Sequence, residues 1–358
     1  MVVDRLRSSE RHRNLDKRMD QRVSRKPRIS DVARSAGVST ATVSRALATP
    51  EKVTLATREA VVKAVREIGY VPNLAARNLR TNKTRTILAV LPDFGNVFFS
   101  LVLRGISDTL AARGYSLIIA DTHNEAAREE QCAQFIAAGR VDGVLLLNGR
   151  RLFAPRDTRH STMPMVSLCE RIPGAPFPHV ETENRKAAQI ATSYLASLGH
   201  RRIGYVRGPR TNVLEHERFS GYQDALRQAG LGFDAALVTE GDFTLASGEA
   251  AAETYLAGAK LPDAIFACND AMAMGLIRRL FAAGIAVPRD VSVAGFDDIE
   301  FAEAYNPAIT TVRQARRQIG ERAANVLLEL VEGRTAVEWE VRLPAELVVR
   351  ESTARRGV

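Results

Sequence analysis

Residues 28–48 read RISDVARSAGVSTATVSRALA. Within them Ile29, Val32, Ala33 and Ala36 recur at helical spacing, and Ser30 with Asp31 supplies a helix start. Gly37 breaks that run, Val38 follows, and Ser39 is placed to cap a second short helix. Two such helices joined by a tight, glycine-containing turn form a helix-turn-helix. With Val43 turned inward, Ser39, Ala46 and Leu47 share its side of the second helix. Ala41 and Arg45 then point away, flanked by Thr42 and Ser44, while Thr40 leans partly inward. A small residue and an arginine rimmed by hydroxyls suit a major groove, with Arg45 forking onto a guanine edge and the hydroxyls on phosphates. An amphipathic helical hairpin inside some other globular domain has the same pattern.

The charge distribution separates these readings. The chain has 358 residues and a net charge of +9. Residues 1–84 carry 19 Lys and Arg against 8 Asp and Glu, whereas the rest carry 31 against 33. The positive excess therefore sits on the segment that holds the helix-turn-helix, where a polyanion partner and steep salt dependence are expected. Residues 1–26 are polar, arginine-rich and without apolar period, which reads as a disordered basic arm. It adds phosphate contacts, or is idle, or precedes a true start at Met19.

Residues 54–67 read as a third helix, with Val53, Ala60, Val61, Ala64, Val65 and Ile68 closing a core over the first two. After Gly69, Asn73 follows Pro72 and can cap a further helix of about two turns. That is below the ~12–15 residues an isolated helix needs in water, so it orders only with support.

From Thr86 onward apolar runs alternate with amphipathic segments. ILAVLP (87–92), SLIIA (116–120), GVLLLN (143–148) and MVSL (165–168) read as buried strands, with helices near 99–113 and 125–138. A second series follows: helix 184–198, strand RIGYV (202–206), helices 217–229 and 247–257, strand AIFAC (264–268), helix 271–283 and strand VSVAGF (291–296). This alternation predicts α/β architecture with parallel sheets covered by helices on both faces. The pattern fits two lobes or one large sheet.

No apolar stretch approaches the ~18 residues of a membrane span, and no membrane partner is expected. The first residues lack the apolar core of a secretory signal, so a cytoplasmic location is expected. Cys132, Cys169 and Cys268 are widely spaced and form no Cys/His ligand pattern, which predicts free thiols and no metal. There is no GxGxxG after the first strand, no P-loop, no GxSxG and no HExxH, so no catalytic residue or cofactor is expected. An enzyme using two α/β lobes, or a periplasmic-type solute-binding protein, leaves the basic helix-turn-helix unexplained.

VSTATVSRAL (38–47) and the run KVTLATREAVVKAVREIGYVPNLAARNLRTNKTRTI (52–87) resemble the DNA-reading headpiece of the LacI/GalR family of bacterial repressors. The resemblance continues to Ser352 through VDGVLLL (141–147), GHRRIGYVRGP (199–209), ERFSGY (217–222), FACNDAMAMG (266–275), VPRDVSVAGFDD (287–298) and PAITTVRQ (307–314), in the family's order and spacing. It implies a headpiece at 27–71, a hinge helix and linker at 72–84, and an effector-binding and dimerisation domain at 85–358. That domain would be two-lobed and similar to periplasmic binding proteins, with crossovers near Glu183, Thr311 and Val341. Lobe 1 would hold about 85–183 and 312–341, and lobe 2 about 184–311 and 342–358.

The same resemblance implies a homodimer on a pseudo-palindromic double-stranded operator, since no leucine-heptad tail follows Ser352. Ser39, Thr40, Ala41, Thr42, Ser44 and Arg45 would face the DNA. Asn73, Ala76, Arg77 and Leu79 would act from the hinge, with Leu79 as a wedge in the minor groove or, structurally, a core contact.

A small-molecule effector is expected beyond the carboxyl ends of the strands. Asn96, Phe98 and Phe99 follow the first strand; Glu170 follows MVSL; His216 and Arg218 follow RIGYV; Asn269 and Asp297 end two later strands. By resemblance Arg218 and Asp297 are the main ligand contacts, Phe99 and Phe243 cover the ligand, and Asn269 shares the pocket. A buried Arg218–Asp297 ion pair and core packing of the phenylalanines are the structural alternatives. Glu183 stands where many relatives have aspartate, and Val97 replaces their proline. Glu170 and His216 resemble a nucleoside-responsive member, although most of the family answers to sugars. A nucleoside or a sugar is the expected effector.

Overall fold

The computed structural model describes residues 27–71, 83–153 and 163–357. The expected basic arm and the hinge positions Asn73, Ala76, Arg77 and Leu79 lie outside the described residues. Two units divide the chain, Met1–Asn82 and Lys83–Val358.

In the first unit α1 (Ile29–Ala36), α2 (Thr40–Ala48) and α3 (Leu55–Ile68) follow one another. The Asp31 carboxylate accepts the Arg28 N–H at 2.9 Å and holds the start of α1. Gly37, at φ +66°, stops it in the left-handed conformation that glycine adopts without strain. Ser39 and Thr54 cap the next two helices by accepting from the Thr42 and Thr57 amides. Val32, Ala33, Val43, Ala46, Val61 and Ala64 form the buried core. Ala60 is exposed, contrary to the sequence expectation, because Val61, Ala64, Val65 and Ile68 already make up the face of α3 turned to α1 and α2.

The second unit opens with β1 (Thr86–Leu91), α4 (Phe99–Ala112), β2 (Ser116–Asp121), α5 (Ala126–Ala137), β3 (Gly143–Leu146), β4 (Met165–Leu168) and β5 (His179–Thr182). It continues through α6 (Asn184–Ser197), β6 (Ile203–Val206), α7 (Val213–Gln228), β7 (Val238–Thr239), α8 (Leu245–Ala257), β8 (Ala264–Ala267), α9 (Asp270–Ala282), β9 (Ser292–Asp297), α10 (Glu300–Ala304) and β10 (Thr310–Gln314). It ends with α11 (Arg316–Val331), β11 (Glu340–Leu343) and β12 (Ala345–Val348).

Two six-stranded sheets result, ordered β11-β5-β4-β3-β1-β2 and β12-β10-β9-β8-β6-β7. Every pairing is parallel except that of β12 with β10. Each sheet with its covering helices is one lobe and has its own core. One face of the first sheet packs Ile87, Ala89 and Leu145 with Ile106 and Leu327; its other face packs Val90 and Val144 with Ile136. The second sheet is centred on Tyr205, Phe266 and Phe296, with Tyr222 of α7 stacked 4.9 Å from Tyr205.

The chain passes between lobes at Glu183, Ala315 and Pro344. The last two crossings fall later than Thr311 and Val341, where the sequence placed them. Thr310 to Arg313 stay in register with Ala294 to Asp297 of β9, and Val341 pairs with Val180 in the first lobe. The sequence also left α11 unread, although it covers the first sheet through Ile319, Ala323 and Leu327. Among the described residues no helix is long and apolar enough to cross a membrane.

Helices α4 and α11 touch through Gly105 and Gly320. A methyl group on Gly105 would sit 2.2 Å from the Arg317 carbonyl oxygen, and one on Gly320 would sit 2.1 Å from that of Val102. Backbone cannot retreat as a side chain tip can. Gly105→Ala should therefore lower stability by roughly 1–3 kcal/mol or more, read as an earlier urea midpoint. Gly232→Ala, with nothing within 4 Å, is the control and should leave the midpoint in place.

Candidate functional site

Two surfaces carry the expected chemistry, one in each unit. On α2 the residues Thr40, Ala41 and Arg45 are exposed, and Thr42 and Ser44 are half-buried beside them. Ser39 and Thr42 share a hydroxyl contact of 2.9 Å, so the cap also fixes the rim of this face. Thr40 is exposed, as the first residue of α2, although the helix wheel leans it toward Val43. The arrangement presents a cation between short side chains on a helix narrow enough for a major groove.

In the second unit a cleft of about 770 Å³ lies between the lobes, lined from both. The lobe of the first sheet contributes Asp93, Asn96, Phe99, Asn148, Arg150 and Glu170; the other contributes Asn212, Asp242, Phe243, Asn269 and Asp297. Most of these follow the carboxyl ends of strands, where parallel sheets place their loops. Asn96 turns its loop by accepting the Phe98 N–H at 3.0 Å, which sets Phe99 at the start of α4. Phe98 itself packs into the core behind, edge-on to Phe99 at 5.2 Å, and does not line the cleft.

Asn269 caps α9 by accepting the Met272 N–H at 2.9 Å and donates at the same distance to the Phe243 carbonyl. This hold keeps Phe243 at φ +70°, a conformation costly for an aromatic residue, with its ring on the cleft. Asp297 also sits at positive φ, 112°, at the end of β9. Its carboxylate accepts from Gln314 Nε2 at 2.6 Å and faces Arg218 Nη2 at 3.6 Å. Burial pushes the Asp297 carboxyl up to about 6 against the pull of Arg218 and Arg316.

Arg218 lies beneath the cleft rather than on its wall and is 3% exposed. It donates to the Cys268 carbonyl at 2.6 Å and to Asn184 Oδ1 at 3.0 Å, with its guanidinium 3.7 Å over the Phe296 ring. Glu170 ends the first lobe's contribution. Its carboxyl is pushed up to about 7 by burial, against a hydrogen bond from the Asn212 side chain and the charge of Arg218.

Glu183 and His216 do not join this cleft. They line a separate depression of about 600 Å³ with Arg171, Arg185 and Arg342. Residues 216 and 218 lie about 200° apart on a helix, so burying Arg218 turns His216 out. Glu183 pairs with Lys186 at 3.3 Å. Reading α7 from Glu217 hid both its true cap and a wall of the cleft. Asn212 caps the helix four residues earlier by accepting the Leu214 N–H at 2.8 Å.

Asn148, Arg150 and Asp242 were missed as well. Asn148 lies two residues past the end of β3, which is the one signal that could have found it. Its Nδ2 is buried and has no hydrogen-bond partner among the described residues. A buried, unmet donor on a cleft wall marks a place for a ligand oxygen or a water.

A helix-turn-helix unit followed by a two-lobed α/β unit with a polar interlobe cleft is the build of a DNA-binding, ligand-responsive regulator. Residues 28–73 match the family of bacterial regulatory proteins, lacI family, and residues 192–353 match the periplasmic binding protein-like domain. The chain is 39% identical over 326 residues to the HTH-type transcriptional repressor CytR of Escherichia coli strain K12, covering 91% of this chain and 96% of the relative. Among solved structures, a lac repressor dimer bound to operator and the anti-inducer ONPF matches at TM-score 0.83 and 27% identity, over 92% of this chain and all of the other. A transcriptional regulator CelR–cellobiose complex matches at TM-score 0.70 and 35% identity, over 91% and 100%. The chain belongs to the LacI family of DNA-binding transcriptional regulators.

The raised carboxyl of Glu170 has a stability consequence. A carboxyl whose folded pKa exceeds its unfolded value favours the fold at low pH and loses that contribution as pH rises. For Glu170 the loss falls between about 4.5 and about 7. Glu170→Gln should gain stability relative to the native chain across that window, with the two melting curves drawing together at its acid end. Parallel melting temperatures across the window would refute the burial argument.

Proposed function

We propose that the chain is a repressor whose operator affinity is set by a small polar ligand bound in the interlobe cleft. The observation that carries this reading is the path from the cleft to the crossings. Asp297 lines the cleft, Gln314 binds it at 2.6 Å, and Gln314 Oε1 accepts the Thr182 hydroxyl at 2.6 Å. Gln314 and Thr182 end the strands that lead into two of the three crossings. A ligand that draws on Asp297 therefore acts at the segments about which the lobes would turn.

The ligand carries a ring and several hydroxyls or amines, and a nucleoside is the first choice. Phe99 and Phe243 offer apolar cover, Asp297 and Asn269 accept and donate at one end, and Glu170 with Asn212 supplies a donor–acceptor edge at the other. A sugar is the second reading, supported by the similar CelR structure being a complex with cellobiose. Cleft size admits either.

In this reading two copies associate and place their headpieces on a pseudo-palindromic operator. Thr40, Ala41 and Arg45 read bases, while Ser39, Thr42 and Ser44 contact phosphates. Residues 72–84 act as the hinge, with Asn73, Ala76 and Arg77 in the minor groove and Leu79 levering a base step. Ligand shifts the equilibrium between DNA-competent and DNA-incompetent states only by its differential affinity for them.

Two experiments test these assignments. Arg45→Ala should cost about 1–3 kcal/mol at one operator position and relax base preference there, read by binding to a panel of single-base variants. Equal weakening on every sequence would make Arg45 a phosphate contact instead. For the cleft, nucleosides and sugars are screened by thermal shift on the full-length protein. A cleft ligand at a hundred times its Kd should stabilise by about 2.7 kcal/mol, and Asp297→Ala should abolish the shift. Stabilisation that survives Asp297→Ala would place the ligand elsewhere.

A further inference from the structure

Away from the cleft, β5 and β11 run side by side at one edge of the first sheet, with Glu340 in register with His179 and Arg342 with Glu181. Val180 and Val341 point into the core, so the flanking residues His179, Glu181, Glu340 and Arg342 share the opposite face. His179 Nε2 lies 3.6 Å from Glu181 Oε1 and 3.8 Å from Glu340 Oε1. One donor atom from each of the three residues falls within 4.8 Å of the other two.

A second, independent observation sits in the middle of this cluster. Glu181 is 1% exposed, yet neither of its carboxylate oxygens has a hydrogen-bond partner among the described residues. His179 Nε2 is buried and equally unmet. The Arg342 Nε stands 3.1 Å from Glu181 Oε1 and 2.7 Å from Glu340 Oε1, so it supplies charge without completing the hydrogen bonding of Glu181. Buried carboxylates are ordinarily hydrogen-bonded, paired in good geometry, or bound to a metal.

We propose that His179, Glu181 and Glu340 form a binding site for a divalent transition-metal ion of the zinc type. One imidazole and two carboxylates are a donor set that such ions accept, with water in the remaining position. Ligand bonds of about 2.0–2.2 Å place tetrahedral donors roughly 3.4 Å apart, and the present spacings of 3.6 and 3.8 Å need only small side-chain rotations to reach that. Glu340 is half exposed and gives the ion a way in. Arg342 is equally exposed and is free to swing out as the ion takes over its charge. Glu217 of the other lobe has its carboxyl pushed up by burial and by Glu181, against Arg342, Arg171 and Arg218. Because β5 runs into the crossing at Glu183 and β11 into that at Pro344, the ion would pin together the approaches to two of the three lobe connections.

The test uses the full-length protein, stripped with a chelator and titrated with Zn²⁺ by calorimetry, with Co²⁺ absorption in the visible as a second readout. One equivalent should bind. His179→Gln and Glu181→Gln should each weaken binding at least about tenfold and abolish the Co²⁺ bands, whereas Arg342→Ala, which removes the competing cation, should tighten it about tenfold. His123→Gln, in the exposed group of Asp93, Asp121 and His123, should change nothing. No binding, full binding by folded His179→Gln, or a loss that follows His123→Gln instead would overturn the proposal. If Glu181→Gln fails to fold, Arg342→Ala decides the same question, and an unchanged affinity there overturns it too.

Discussion

A single buried amide, that of Gln314, carries the connection between the cleft and the lobe crossings. Its two ends are chemically distinct: Oε1 accepts from Thr182 and Nε2 donates to Asp297, each at 2.6 Å. With 6% of the residue exposed, neither bond can be exchanged for water without local opening. Leaving either partner unmet in such a place costs about 1–3 kcal/mol. Arg218 braces the same junction from below through Asn184, Cys268 and the Phe296 ring. Asn184 in turn donates to the Thr182 carbonyl at 3.0 Å. The ends of β5, β9 and β10 are thus held in one hydrogen-bonded group at the places where the chain changes lobes.

Electrostatics sharpen this coupling. Asp270 is fully buried close to Asp297, and burial together with that neighbour pushes its carboxyl well above the usual range. The Thr311 hydroxyl, at 2.5 Å, and the Ile299 amide satisfy it, so it serves the scaffold of the second lobe rather than the cleft. Arg316, at the second crossing, is held below its ordinary value by burial but is countered by Asp297, Asp270 and Asp298. Such a balance of buried charges tolerates a ligand that donates hydrogen bonds far better than one that brings an uncompensated charge.

The sequence made the helices and central strands legible because their signals are local. The cap at Ser39, the stop at Gly37 and the continuous apolar runs of β1, β8 and β9 each act over a few residues. What it left unread is set by long-range pairing. β11 and β12 are short and half-exposed, and they become strands only because β5 and β10 are there to pair with them. The crossings were misplaced for the same reason, since no local feature marks the residue at which a chain leaves one sheet for another. In the cleft, residue type was a good guide where a strand end fixed direction, as for Asn96, Glu170, Asn269 and Asp297. It failed for Glu183 and His216, where the facing side of a helix decides the outcome, and for Asn212, whose capping role was not read.

The headpiece follows a different physical logic from the effector unit. Its fully buried core consists of six small aliphatic side chains, with Ile29, Leu47, Ile68 and Tyr70 packed partly buried against them, in a segment well below the ~60 residues at which a single core becomes marginally self-sufficient. Little hydrophobic stabilisation is available to it, and the burden of DNA affinity falls on charge. The segment holding the helix-turn-helix carries that charge while the remainder of the chain is nearly neutral. Phosphate contacts of this kind give affinity without sequence information, and base discrimination then rests on the few side chains of α2 that project past the caps. A regulator built this way does not need a strong headpiece. A hold on DNA that rests on charge in this way weakens as salt rises.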